Sequence, residues 1–404
     1  MSAGSPNLIP DKKKSIKYLA LAGGGAKGVA YIGAFKALEE LNSKGMISFT
    51  FSNLEGISGS SVGAITAMLI SCGYSLDEIE KETSSKAFID DILLNPKTIK
   101  KDEIPGVNGK KYKNKELKYN LNPSWVKKDA GAFLINRFSL QGARFAVWTP
   151  LFNLFFGGDT KKQVSRVSPH VEVFRTDMGF YSGALARNYF DRMIRKKIAL
   201  KQKSSSLANV TFEQHYDVFK TKLAITGSNF ITAKNHVFSV DTTPSFPVAD
   251  AIRISMSFPF FFKPMAILES DVDRIWNKSW KMSKMELQGL WVDGGFFNNL
   301  PCRAFNYDGA TEKNTISFEF GPQEYYEIDA ANDFLKAFFG HGLGYKGGNS
   351  HTTSSWYNNE NLITLNTLPI NTLDFDMFQG WNTTKREDYT KKQKDSVIKQ
   401  LTPI

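Results

Sequence analysis

One pattern occurs twice within the first 71 residues. Lys17–Ala22 is a short apolar run, the glycine-rich Gly23-Gly24-Gly25-Ala26-Lys27-Gly28 follows, and over Val29–Leu41 the residues Ala30, Ala34, Ala37 and Leu38 share one helical face. Leu54–Gly59 is a second apolar run. Behind another glycine-flanked turn, Ala64, Ile65, Met68 and Leu69 recur at helical spacing across Val62–Ser71. Two strand–turn–helix units in succession imply parallel strands, because a helical crossover is what returns the chain to the same end of a sheet. The expected fold is α/β, a three-layer α/β/α sandwich with a mainly parallel central sheet and its functional loops at the carboxyl ends of strands.

The same periodicities predict a helix over Tyr181–Leu200, a strand over Lys222–Thr226, a helix over Val248–Met256, strands at Thr315–Phe320 and Leu362–Leu365, and a Lys-rich terminal helix. Residues 1–15 read as a polar tail and 16–400 as one domain. Residues 96–171 interrupt it as an inserted cap region, where Lys, Asn, Gly and Pro give way to the Phe- and Trp-rich Phe145–Phe156. No internal repeat is visible.

A chain of 404 residues can bury a substantial core, so disorder is not expected. Cys72 and Cys302 allow one bridge at most, which excludes a disulfide scaffold. The apolar run Tyr18–Ala22 behind Lys12, Lys13 and Lys14 is too short for a signal-peptide core. Phe145–Phe156 carries Pro150 and falls well short of the ~20 apolar residues that span a bilayer. The expectation is a cytoplasmic protein, peripheral at membranes, with secretion lacking a Sec signal and delivery into a host cell left open.

The net charge of +11 is local. Residues 97–128 hold ten lysines against Asp102, Glu103 and Glu116, residues 192–203 hold six basic residues and no acid, and the rest is close to neutral. Such patches suit a polyanionic partner, either nucleic acid or anionic lipid.

Three motifs carry chemistry. Gly23–Gly28 turns backbone N–H groups toward one point at a helix entry, an anion site that also fits a dinucleotide pattern through Gly23, Gly25 and Gly28. It lacks the Lys-Ser/Thr ending of a phosphate-loop NTPase. Gly59-Ser60-Ser61-Val62-Gly63 is the chain's Gly-x-Ser-x-Gly; its register selects Ser61, and Gly59 and Gly63 permit the turn of a nucleophile elbow. Asp293-Gly294-Gly295 follows the apolar Leu290-Trp291-Val292, so an aspartate fixed by a glycine turn could act as a serine's base.

In this order the motifs resemble the patatin-like phospholipase family. The resemblance extends through Tyr31–Leu38, Ala64–Ala67, Gly179–Gly183, Ala249–Pro259, Val292–Pro301 and Leu373-Asp374-Phe375, and covers about residues 16–95 and 172–400. It implies a serine acyl hydrolase acting on fatty-acyl esters of phospholipids or other membrane lipids, of phospholipase A or lysophospholipase type. Carried over by position, Ser61 is the nucleophile, Asp293 its base, and Gly23, Gly24, Gly25, Ala26, Lys27 and Gly28 the oxyanion hole. Gly59, Gly63, Gly294 and Gly295 are the elbow and turn glycines. Many members have Thr and Ala where this chain has Ser60 and Val62, and the bulkier Val62 could narrow the pocket.

With an ordinary aspartate value near ~3.9, Asp293 is expected to be ionised at neutral pH. Lys27 either contacts lipid phosphate or faces solvent. Phe258, Phe260, Phe261 and Phe262 are expected at the acyl pocket or in the core near it. Trp148, Phe152 and Phe155, near the basic 97–128 segment, are the candidate membrane contacts.

Competing readings stay open at this level: a Ser–Asp–His triad through His341 or His351, a nucleotide-dependent oxidoreductase, a thioesterase or other non-phospholipid esterase, and a non-catalytic basic lipid-binding protein. His170, His215, His236, His341 and His351 show no metal-ligand spacing and no calcium loop is visible, so neither cofactor nor metal is expected. An anionic phospholipid surface is the expected partner, nucleic acid is not, and a protein activator remains open.

Overall fold

The computed structural model describes residues 14–83, 88, 103–113, 179–202, 207–321, 361–370 and 380–402. Their centre is an eight-stranded sheet. Its strands are β1 (Tyr18–Leu21), β2 (Gly56–Gly59), β3 (Lys222–Asn229), β4 (Lys234–Ser239), β5 (Met265–Ile267), β6 (Gly289–Asp293), β7 (Thr315–Phe320) and β8 (Leu362–Leu365). They lie in the order β5-β6-β3-β2-β1-β7-β8, with β4 on β3. The pairings β3/β2, β2/β1, β1/β7 and β7/β8 are parallel, as the two opening units require.

Alternation along these strands makes two different faces. In register, Leu19, Ile57, Leu223 and Ile316 form one row, and Leu21, Ile225, Phe318 and Ile363 the next. Both rows join the main core with the helices α1 (Ala30–Ser43), α2 (Val62–Ser71), α3 (Ala184–Gln202), α4 (Val248–Ser255) and α5 (Thr383–Leu401). Full burial of each large apolar side chain contributes roughly 1.5–3 kcal/mol. The other face presents Ala20, Ser58, Ala224 and Ser317. Over these small side chains the segment around Leu300, Phe305 and Ala310 approaches closely, and Ser58 donates a 2.9 Å hydrogen bond to the Pro301 carbonyl.

β3 runs past the expected Thr226 to Asn229 because its second half has a partner on each edge. β4 pairs with Ala224–Asn229, β2 with Lys222–Ile225 and β6 with Gly227–Asn229. Residues shared with β4 have their second partner on the opposite edge, so β2 and β6 both occupy that edge, one after the other. β2 runs parallel to β3 and β6 antiparallel, so their carboxyl ends face each other, Gly59 opposite Ile225 and Asp293 opposite Gly227. Two residues of strand, about 7 Å, separate these positions.

Part of the interrupting stretch is stitched onto this framework. A hairpin of Glu103–Pro105 and Lys111–Lys113 buries Ile104 and Val107 completely. The Asn108 N–H donates to Asp250 Oδ2 at 2.8 Å, and Asp250 is itself buried against Arg187 at 2.9 Å. Lys263 Nζ reaches the Glu103 carbonyl at 2.7 Å, and Tyr112 Oη and Lys110 Nζ reach the buried Asp271 at 2.5 and 3.2 Å.

Candidate active site

The elbow folds as it does because helix α2 starts almost in contact with the sheet. A Cβ on Gly59 would collide with the Gly63 carbonyl and lie 2.6 Å from the Ala64 nitrogen, while one on Gly63 would collide with the Leu21 carbonyl oxygen and lie 2.7 Å from that of Ala22. Any side chain at either position would push α2 off β1 and β2. Between them Ser61 is forced to φ 52°, ψ −123°, a left-handed conformation that L residues rarely adopt. Ser60 is fully buried and Ser61 only partly. The Ser61 N–H donates to the buried Ser255 Oγ of α4 at 2.9 Å, which ties the elbow to a second helix. Its hydroxyl stands at the N-terminus of α2, where the helix dipole favours negative charge.

Asp293 closes β6 from the opposite direction and is 2 % exposed. Its N–H donates to the Ser257 carbonyl at 3.0 Å, and its Oδ1 accepts the Gly295 N–H at 2.7 Å. Burial pushes the carboxyl up to about 7, against smaller opposing effects of hydrogen bonding from the Ser61 side chain and the Gly295 amide. The expectation of an ordinary aspartate near ~3.9 is therefore corrected: the carboxyl is held well above the usual range, because desolvation outweighs two hydrogen bonds. Gly294 packs against Thr226, and the Gly295 Cα faces Asn299 Oδ1 and Asp293 Oδ1.

The glycine loop lies against Ser61. A Cβ on Gly23 would stand 2.9 Å from the Ser61 Cβ. Gly25 has φ 55° and opens the short 3-10 turn Gly25–Val29. Among the described residues no acceptor takes the Gly24 or Gly25 N–H, so both are free to bind an anion. Asn299 sets the loop's position, since its Oδ1 accepts the Gly23 N–H at 3.1 Å and its Nδ2 donates to the Gly23 carbonyl at 3.0 Å. Ser255 and Asn299 lie within stretches that resemble the family but carry no motif chemistry of their own, so their positioning roles emerge only in the folded chain.

Val62 packs on Gly28, which accommodates the larger side chain within the loop. Lys27 is 3 % exposed, so it does not face solvent. Phe258, Phe261 and Phe262 are buried, the last two packed on Tyr181 in the core. Of the basic segments, Lys110, Lys111, Arg195 and Lys197 are ion-paired with Asp271, Glu103, Asp191 and Glu78, which removes them from a free cationic patch. Trp148, Phe152, Phe155, His341, His351 and Leu373–Phe375 lie outside the described residues. Among the described residues no helix is long and apolar enough to cross a membrane, and no cluster of His, Cys, Asp or Glu has the form of a metal site.

The family model described as Patatin-like phospholipase matches residues 19–306. An uncharacterized protein of Acanthamoeba polyphaga mimivirus is 24% identical over 308 residues, covering 76% of this chain and 67% of the relative. A protein of Invertebrate iridescent virus 6 described as a probable lipid hydrolase is 22% identical over 298 residues, covering 74% of this chain and 66% of the relative. The chain thus spans about two thirds of the length of these curated relatives. Among solved structures, VipD from Legionella pneumophila matches with a TM-score of 0.45 at 17% identity, over 96% of this chain and 67% of that one. ExoU from Pseudomonas aeruginosa, in complex with SpcU, gives 0.37 at 18%, over 96% and 53%. Overlaps of that size add nothing to the family match.

Proposed function

This chain belongs to the patatin-like phospholipase family, and from that premise we propose that it is a lipid acyl hydrolase of phospholipase A or lysophospholipase type, with Ser61 as nucleophile and Asp293 as its base. The observation that carries the reading is the head-on meeting of β2 and β6, which sets a strained, accessible serine beside a buried aspartate whose carboxyl titrates near 7. A base with that value is matched to a neutral operating pH.

In the proposed reaction ionised Asp293 takes the Ser61 hydroxyl proton while Oγ attacks the ester carbonyl carbon. The charge developing on the carbonyl oxygen is held by the Gly24 and Gly25 N–H groups and the α2 N-terminus, and one such donor is typically worth ~3–4 kcal/mol of barrier. Collapse breaks the ester C–O bond, and the leaving alkoxide recovers the proton from Asp293. Water then attacks the acyl-serine with Asp293 again as base, releasing the fatty acid and restoring Ser61. Every step uses side chains and amides of this chain.

We place the lipid-surface contact on the outer side of α3. Arg192, Lys196 and Lys201 are exposed there together with Leu200, 69 % exposed, and cationic side chains flanking an apolar one suit an anionic lipid surface.

The test is release of free fatty acid from phosphatidylglycerol-containing vesicles labelled separately at the two acyl positions. Wild-type protein is expected to release acid and Ser61→Ala to release none. Equal release by the two proteins overturns the assignment of Ser61.

A further inference from the structure

The turn that follows the proposed base returns to the site at its far end. Asp293 starts it, and Asn299 finishes it with two side-chain hydrogen bonds to Gly23 of the glycine loop. The crest between these ends carries Phe296 and Phe297, held in a tight turn by the Asn298 N–H to the Gly294 carbonyl at 3.0 Å. Phe230, just beyond β3, completes the group. Its N–H donates to the Leu290 carbonyl of β6 at 2.9 Å, and its ring centroid lies 5.1 Å from Phe296 and 6.2 Å from Phe297.

These rings are not core. Phe296 is 39 % exposed, and Phe230 and Phe297 are partly buried. Holding an aromatic ring in water forgoes the burial that stabilises the other phenylalanines, so an exposed aromatic group continuous with a site marks a place for an apolar ligand. Phe258, Phe261 and Phe262, expected at the acyl pocket or in the core near it, are buried in the core and offer no such surface.

We infer that Phe230, Phe296 and Phe297 receive the fatty-acyl chain of the substrate and set its preferred length. This rests on the Ser61–Asp293 reading. An ester carbonyl held between Ser61 and the glycine loop must direct its chain away from both, and the crest is anchored beside that position at both ends, by Asn299 on Gly23 and by Gly295, where a Cβ would lie 3.4 Å from Ser60 Oγ. The longer the chain, the more ring surface it covers, while a four-carbon acid ends before it reaches the rings.

The test compares kcat/KM for p-nitrophenyl palmitate and p-nitrophenyl butyrate in wild type, Phe296→Ser and Phe230→Ser. The palmitate-to-butyrate ratio is expected to fall about tenfold in Phe296→Ser, chiefly through KM, because the long chain no longer covers an aromatic surface there. Partial unfolding lowers both esters together and leaves the ratio alone. If Phe296→Ser does not fold, Phe296→Gln, which keeps most of the volume, decides by the same ratio. A second readout needs no turnover: a fluorescent sixteen-carbon fatty acid should bind Ser61→Ala about tenfold more tightly than Ser61→Ala/Phe296→Ser. Unchanged ratio and unchanged fatty-acid binding overturn the inference. Esterase activity surviving in Ser61→Ala overturns the underlying reading instead, whatever the ratio does.

Discussion

Ser61 stands between Gly59 and Gly63, and Asp293 stands before Gly294 and Gly295, yet the two sides of the site are prepared by different means. The serine side is mechanical: close approach of α2 to β1 and β2 leaves no room for side chains at Gly59 and Gly63 and holds Ser61 at positive φ, partly open to solvent. The aspartate side is electrostatic: Asp293 ends β6 with a negative φ, and burial carries its carboxyl to about 7. One side stores its preparation in backbone geometry that neighbouring residues dictate. The other stores it in the absence of water, which depends on everything packed around β6.

The largest effect expected from breaking this contrast is on turnover. Asp293→Asn should lower kcat by on the order of 10³–10⁴, measured on a soluble short-chain ester, because the proposed general base is gone. The same variant should be more stable than wild type in urea at pH 8 to 9. The aspartate's folded value lies above its unfolded one, so its contribution to stability is fully present below about 4 and is lost as pH rises through about 7. The stability gap should therefore narrow toward acid pH. A variant less stable than wild type at pH 9 would remove burial as the source of the shift.

Next in size is the pH dependence of wild type. Since the proposed base Asp293 would act only when ionised, log kcat/KM should rise with unit slope up to about pH 7 and then level, a loss of about a hundredfold at pH 5. A profile that levels near pH 4 would return Asp293 to an ordinary, hydrated carboxylate.

On the mechanical side, Gly63→Ala sets a methyl group against the Leu21 and Ala22 carbonyls. Overpacking of this kind costs about 1–3 kcal/mol, to be read from chemical denaturation, with activity falling as well because the elbow shifts. The smallest effect belongs to Ser255→Ala. It removes the acceptor of the Ser61 N–H and should cost about 1–2 kcal/mol in stability, with kcat reduced more than KM is raised. If Ser255→Ala leaves kcat untouched, the elbow alone is rigid enough to hold Ser61.

Much of the framework was legible from pattern. The two opening units, the helices near 184–202 and 248–255, the strands at 315–320 and 362–365 and the terminal helix all form within a few residues of where periodicity puts them. Strands 234–239 and 265–267 were not anticipated, nor was the docking of residues 103–113. Strand 265–267 and the docked 103–113 stretch are short segments whose partners lie far away in sequence, as with Ala266 bridging to Gly106, while 234–239 is the hairpin neighbour of β3 but begins with the polar Lys-Asn-His, which announces no strand. Asn299 and Ser255 escaped for the same reason. A lone polar side chain acquires a role only when the backbone it holds, at Gly23 or Ser61, has been brought to it.

By itself the sequence determined the α/β class, the strained turn at Ser61 and the glycine loop before α1, because each depends on residues within one or two turns of chain and on steric limits that glycine alone relaxes. Only the tertiary structure decided that two strands running in opposite directions end on the same edge of β3. That shared edge sets Asp293 beside Ser61, and the packing around it excludes water and moves the Asp293 carboxyl to about 7. Meetings and desolvation are sums over distant parts of the chain, and no local stretch of residues carries them.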